Sequence, residues 1–237
     1  MIRCAYMFVL AVVVAAVSGC AGTKPIPLDR AQANIKTIGI VTPYVAQSPT
    51  SYIAASPGRN FGLIGALIDA GVRSSREQAL EATLKTQQFS AEQTLSDRLA
   101  EAIKAQGYDV VMIPAKRVEK GEFLDKYPQS AGVDAYMDVV LPSWGYVAAG
   151  VQSSAPFRPF IAVKCKLVRS RDASVLMQDW VIYNPINERA GDGVTLSPDP
   201  TFAFATSDMM EHQAEHTAEG LRVAMAQTAT AIGVLLR

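Results

Sequence analysis

The chain has 237 residues and a mass of 25.4 kDa, enough for one domain or a tight pair. Hydrophobic residues make up 49% and charged residues 19%, so a sizeable core can be buried and intrinsic disorder is excluded. Its 22 basic and 22 acidic residues balance, with a pI near 6.7. The basic excess that drives non-specific nucleic-acid binding is therefore missing, and no nucleic-acid partner is expected.

The first elements concern address. Arg3 supplies a positive start, and Tyr6 to Val17 is an almost unbroken apolar run. That run is too short for a span of about 20 residues but fits the core of a signal peptide. It ends in Val17-Ser18-Gly19-Cys20, which resembles the lipobox of bacterial lipoproteins. The resemblance implies a signal peptide over residues 1–19 and a mature chain beginning at Cys20. The thiol would carry diacylglycerol and the amine an acyl chain such as palmitate. Multiple acyl chains give stable anchoring, since each buried CH2 contributes about 0.8 kcal/mol. Ala21 stands where an aspartate would argue for inner-membrane retention, so the outer membrane is favoured. The alternative is a cleaved secretory signal that merely contains a cysteine.

Residues 20–34 read as the lipidated N-terminus and a short tether, with Pro25 and Pro27 blocking helix. Residues 35–237 read as one periplasmic domain. Ile35–Val41 predicts a first strand, and Pro43–Asn60, rich in Ser, Pro and Gly, a loop. Phe61–Val72 is apolar and rich in small residues, with Gly62, Ala66 and Ala70 four apart. Twelve residues cannot span a bilayer. The segment is a core helix, an oligomer contact, or a helix resting on the leaflet beside the anchor. Ser74 and Glu77 have capping-box spacing, which predicts a polar helix opening there; Ser90 and Gln93 repeat the device ahead of Leu95, Leu99 and Ile103. Gly107 closes that helix, Tyr108–Ile113 predicts a strand, and Val118–Leu124 a short helix.

The second half is richer in strand. Asp134–Tyr146 alternates Met137, Val139 and Leu141 against Tyr136 and Asp138. Phe160–Arg169 and Val175–Tyr183 flank Arg171-Asp172-Ala173-Ser174, which suits a hairpin turn. Asn184–Pro200, with three prolines and two glycines, predicts a long loop. Ser207–Leu236 predicts a single helix with Met210, Ala214, Leu221, Met225, Ile232 and Leu236 on one stripe. The expected fold is α/β: a mixed sheet of about five strands covered by helices, closed by a long C-terminal helix.

Few residues bear chemistry. His212-Gln-Ala-Glu215-His216 matches H-x-x-E-H, in which two histidines one turn apart bind zinc and the glutamate acts as base. A catalytic site needs a third protein ligand, and among acidic residues only Glu219 follows. His212 also lies about 200° round the helix from Met210, away from the apolar stripe. The segment reads as a solvated polar face, with adventitious metal binding and a zinc-dependent hydrolase using His212, Glu215 and His216 as the rival readings. No cofactor is expected. Cys165 shares a strand face with Ile161, Val163 and Leu167 and reads as a small buried hydrophobe rather than a nucleophile. Tyr44, Tyr52, Trp144, Tyr146, Phe157 and Phe160 read as loop aromatics that either lid the core or anchor a protein partner. Asp134, Asp138 and Asp179 lie on strands and leave a paired-carboxylate site open.

The order of elements, over Ile35–Val41, Leu95–Ile113 and Val133–Tyr183, resembles a recurring periplasmic lipoprotein domain. It is the domain shared by the N-terminal part of the Tol translocation protein, the curli secretion lipoprotein and the lipoprotein activators of penicillin-binding proteins. The resemblance implies a non-enzymatic binding or assembly protein at the periplasmic face of the outer membrane, held by its lipid. Its partner would be an envelope protein or a second copy. An oligomeric secretion or scaffold subunit is the alternative, although no pair of long alternating membrane strands is visible.

Overall fold

The computed structural model describes residues 24–55, 62–128, 132–151, 154–186 and 193–237. The stretch expected as a signal peptide, Cys20 and Phe61 lie outside the described residues. Among the described residues eight strands form one mixed sheet: β1 (Thr37–Val41), β2 (Tyr44–Val45), β3 (Thr50–Ile53), β4 (Asp109–Ile113), β5 (Ala135–Ala148), β6 (Arg158–Arg169), β7 (Val175–Tyr183) and β8 (Val194–Leu196). The helices are α1 (Arg30–Ala33), α2 (Gly62–Thr86), α3 (Ala91–Lys104), α4 (Ser207–His212) and α5 (Ala214–Val234).

The sheet is organised around β5. Its order is β4-β1-β5-β6-β7-β8, with β2 and β3 also paired to β5. Thus β1, β2 and β3 lie in turn along one edge of β5, all parallel to it, while β6 runs antiparallel along the other. The five strands expected from the sequence are all present. The other three are short and come from the two stretches expected as loops. Pairing with β5 and β7 supplies their hydrogen bonds, so they need no strong pattern of their own.

One face of the sheet is covered by helices. Ile38, Ile40, Met137, Val139, Ile161, Val163, Cys165, Leu167 and Val181 point into a single core with Leu95, Leu99, Ile103, Leu221, Met225 and Ile232. The Ser90 side chain accepts a hydrogen bond from the Gln93 amide at 3.2 Å, so the second capping box opens α3 as expected. The first does not: Ser74 lies inside α2, which runs unbroken for 25 residues. Nothing between Gly62 and Thr86 stops a helix, because Gly65 and Gly71 each cost only about 1 kcal/mol. The C-terminal helix is broken at Gln213 (φ −118°, ψ 52°) into α4 and α5. The helix expected at Val118–Leu124 is absent; that stretch is turn and bend, folded across the second face of the sheet.

The stretch expected as a free tether is fixed to the body from Ile26 onward. Ile26 makes a two-bond antiparallel bridge with Gln178 on β7, at 2.7 and 2.9 Å. Asp29 then caps α1, and Arg169 donates to the Ala33 carbonyl at 2.8 Å.

Candidate functional site

Near the start of α2 the apolar Ile68 and Val72 are exposed, and the position of this helix follows from a ladder of contacts. Ser48 donates to Glu81 (3.4 Å), Thr50 donates to Glu77 (3.2 Å), and the Arg73 guanidinium lies 4.8 Å from the centre of the Tyr52 ring. Four helical residues rise about 6 Å and two extended residues about 6.6 Å, so helix and strand keep step in opposite directions. Continuing the step puts Asp69 level with Ala54, just past the last β3 residue. Residues 62–68 then extend about 10 Å beyond. Ile68 is 65% exposed and Val72 41%, and a Cβ added at Gly71 would meet nothing within 4 Å. The core reading of Phe61–Val72 is thus corrected for Ile68 and Val72; the anchoring turns that do enter the core come later, at Leu80 and Leu84.

The histidine motif does not sit on one continuous helix. His212 ends α4 and is exposed, while His216 belongs to α5. Its Nε2 lies 2.9 Å from the Thr201 carbonyl oxygen, with the Phe202 and Phe204 rings 4.8 and 5.7 Å away. The break at Gln213 means that the two histidines do not share the continuous helix that the zinc reading assumes. It is stabilised from below, where the buried Thr217 hydroxyl donates to the Met210 carbonyl at 2.9 Å. A shallow basin of about 600 Å³ lies over His212, Glu215, His216, Glu219 and Arg222. Among the described residues no group of three or more His, Cys, Asp or Glu side chains is arranged to hold a metal ion.

The three carboxylates expected on strands are dispersed into structural roles, and Asp134 lies just before β5 rather than on it. Asp134 accepts from the Lys36 and Thr37 amides at 2.8 and 2.9 Å; these bonds, Thr37 foremost, hold its carboxyl below the usual range. Asp179 accepts from the Trp180 amide, and burial raises its pKa. Asp138, fully buried, pairs with Arg117 at 2.7 Å, while its other oxygen accepts from the Leu124 amide (2.8 Å) and the Tyr127 hydroxyl (3.0 Å). Arg117 also donates to the Thr42, Glu122 and Val139 carbonyls. Both carboxylate oxygens and both terminal guanidinium nitrogens are bonded, so the pair pins residues 114–128 to the sheet. Sequence reading missed Arg117, which lies 21 residues from its partner.

Of the aromatics read as loop residues, Trp144, Tyr146 and Phe157 are buried, whereas Tyr44, Tyr52 and Phe160 are half-buried. All but Phe157 lie on strands. The Tyr146 hydroxyl donates to Thr217 on α5 at 3.0 Å, and the Trp144 indole donates to Ala46 at 2.8 Å. Trp144 also floors a cleft of about 320 Å³ beside Pro49, Leu84 and Phe89. Cys165 is fully buried, and burial pushes its thiol up to about 12. The native protein is therefore expected to resist iodoacetamide at pH 8 and to react at Cys165 only after unfolding; rapid native labelling at that site, read by peptide mass, would contradict the burial.

No protein-family model and no curated protein matches the chain. Among solved structures it is similar to protein XCC0632 from Xanthomonas campestris, of family-model DUF330: 13% identity, 85% of this chain and 84% of that one covered, TM-score 0.43. A PelC dodecamer from Paraburkholderia phytofirmans matches at 14% identity over 66% of this chain and 74% of that one, TM-score 0.31. The lipoprotein GNA1162 from Neisseria meningitidis matches at 16% over 62% and 81%, TM-score 0.23. Among the described residues no helix is long and apolar enough to cross a membrane.

Proposed function

We propose that this chain is a lipid-anchored protein of the bacterial cell envelope that works by binding and assembly rather than by catalysis. The exposed apolar pair Ile68 and Val72 on α2 carries the reading. Ile68 and Val72 stand one turn apart on the same helix face and together leave apolar surface in water, which a protein contact would cover. The lipobox-like Val17–Cys20 supports a membrane address, at the periplasmic face of the outer membrane. A second copy is the partner to test first, because a shared anchor confines copies to one surface and raises their effective concentration.

The test is the mass of the full-length lipidated protein in mild detergent, with and without Ile68→Lys. The expected result is a defined oligomer that falls toward one protomer in the variant, with self-affinity reduced at least about tenfold, since a charge must be desolvated at the contact. A monomeric wild type sinks self-association. Cys20→Ala is expected to move the protein out of the membrane fraction; its retention there sinks the anchor. Near-stoichiometric zinc in the purified protein would overturn the non-enzymatic reading.

A further inference from the structure

The second face of the sheet, opposite the helices, is only partly covered. Residues 114–128 lie over its β1 and β5 side, but β6 and β7 are left half-open. On this face β6 presents Arg158, Phe160, Lys164 and Lys166, and β7 presents Leu176, Gln178, Trp180 and Ile182, all half-exposed. There is no carboxylate in either set. Lys164 lies 5.0 Å over the Trp180 ring and 3.8 Å from Glu122 at the loop's edge. Lys166 lies 4.5 Å over the Phe123 ring. At the crest of the covering loop Val118 is 90% exposed. Aromatic rings beside snorkelling cations, with aliphatic side chains between them, suit the interfacial zone of a bilayer.

The chain's own geometry says what meets this face. Ile26 is bonded to Gln178, two residues from Trp180 on the same strand face. Only five residues lie between Cys20 and Ile26, so a lipid on Cys20 lies within about 20 Å of that edge of the sheet. Charge agrees. The four helices from Gly62 onward carry ten acidic and six basic side chains, so the acidic layer is on the far side. We propose that this open face is a membrane-docking surface for anionic phospholipid, with Trp180 at headgroup level and Arg158, Lys164 and Lys166 toward the phosphates. The proposal rests on the lipid anchor at Cys20. It orients the molecule: sheet face down on the leaflet, helices and the start of α2 free to meet a partner.

The experiment uses the full-length lipidated protein in vesicles of phosphatidylethanolamine and phosphatidylglycerol, the latter with brominated acyl chains. The chain has two tryptophans, and Trp144 is buried on the helix-covered side. The expected result is quenching of roughly one tryptophan's share of the emission, abolished in Trp180→Phe and weakened at least about twofold in Lys164→Gln. Raising salt from about 0.1 M to about 1 M, which shortens the screening length from about 10 to about 3 Å, should relieve quenching while the protein still floats with the vesicles. Flotation without quenching overturns the docking face and leaves the anchor standing. Quenching that persists in Trp180→Phe overturns the proposal, as does emission shielded from water but insensitive to bromine, the sign of a protein cover. A wild type that does not float overturns anchor and docking together.

Discussion

Asp138→Ala is expected to lower stability by about 3–5 kcal/mol, the cost of stranding a buried cation. Arg117 is 9% exposed and Asp138 not at all, so the guanidinium left behind cannot reach water without lifting residues 114–128 off the sheet. The same substitution removes the acceptor for the Leu124 amide and the Tyr127 hydroxyl, each a buried donor that then lacks a partner. Denaturant unfolding checks it through the midpoint. Arg117→Met with Asp138→Leu should recover much of the loss, because an apolar pair leaves neither charge unpaired. A loss below about 1 kcal/mol for Asp138→Ala would mean that the pair is not buried as described. Phe123, which the network holds beneath Lys166, makes the same variant a probe of the open sheet face: docking should weaken with stability.

The parts of this fold that were legible in the sequence are those made by local pattern. Alternation marked β5, β6 and β7, and the turn at Arg171–Ser174 was visible because Asp172 both starts it and binds it. Its Oδ1 accepts from the Ser174 amide and hydroxyl at 3.0 and 2.6 Å, the Asx geometry that such sequences favour. Ser90 and Gln93 marked a true helix start. Ser74 and Glu77 carry the same signature mid-helix, since the motif reports what a cap would do if the chain had been broken there, and nothing breaks it. What was illegible depends on partners distant in sequence. Strands β2 and β3 exist because β5 offers them an edge, Thr50 to Gly145 and Tyr44 to Val140. The break in the C-terminal helix has no proline or glycine at Gln213 to announce it. It is held by Thr217 reaching back to Met210 and by His216 at the Thr201 carbonyl. The H-x-x-E-H spacing was therefore read on a helix that tertiary contacts interrupt. The exposed start of α2 was noticed for its composition, but whether it was core or surface turned on the Ser48–Glu81, Thr50–Glu77 and Tyr52–Arg73 rungs.

Those rungs lead to the second large effect. Gly145→Ala is expected to cost on the order of 3 kcal/mol or to prevent folding, from overpacking and backbone strain together, each about 1–3 kcal/mol. Gly145 sits at φ +142°, a conformation that side chains rarely adopt. A Cβ there would collide with the Thr50 carbonyl oxygen and lie 2.8 Å from the Thr50 nitrogen. Both atoms are backbone, so neither can rotate aside. Relief requires β3 to move off β5, which takes Thr50 away from Glu77 and with it the middle rung that sets the direction of α2. The effect should thus be double: a lower unfolding midpoint, and an oligomer mass in detergent that falls as it does for Ile68→Lys although the contact itself is untouched. Gly71→Ala is the matched control for stability alone. Its Cβ meets nothing, it lies inside the same helix, and alanine there should gain up to about 1 kcal/mol. Equal stability for Gly145→Ala and wild type would mean that β3 does not pair with β5 at this position. A lowered midpoint together with a normal oligomer would show that the start of α2 is aimed by something other than the strand beside it.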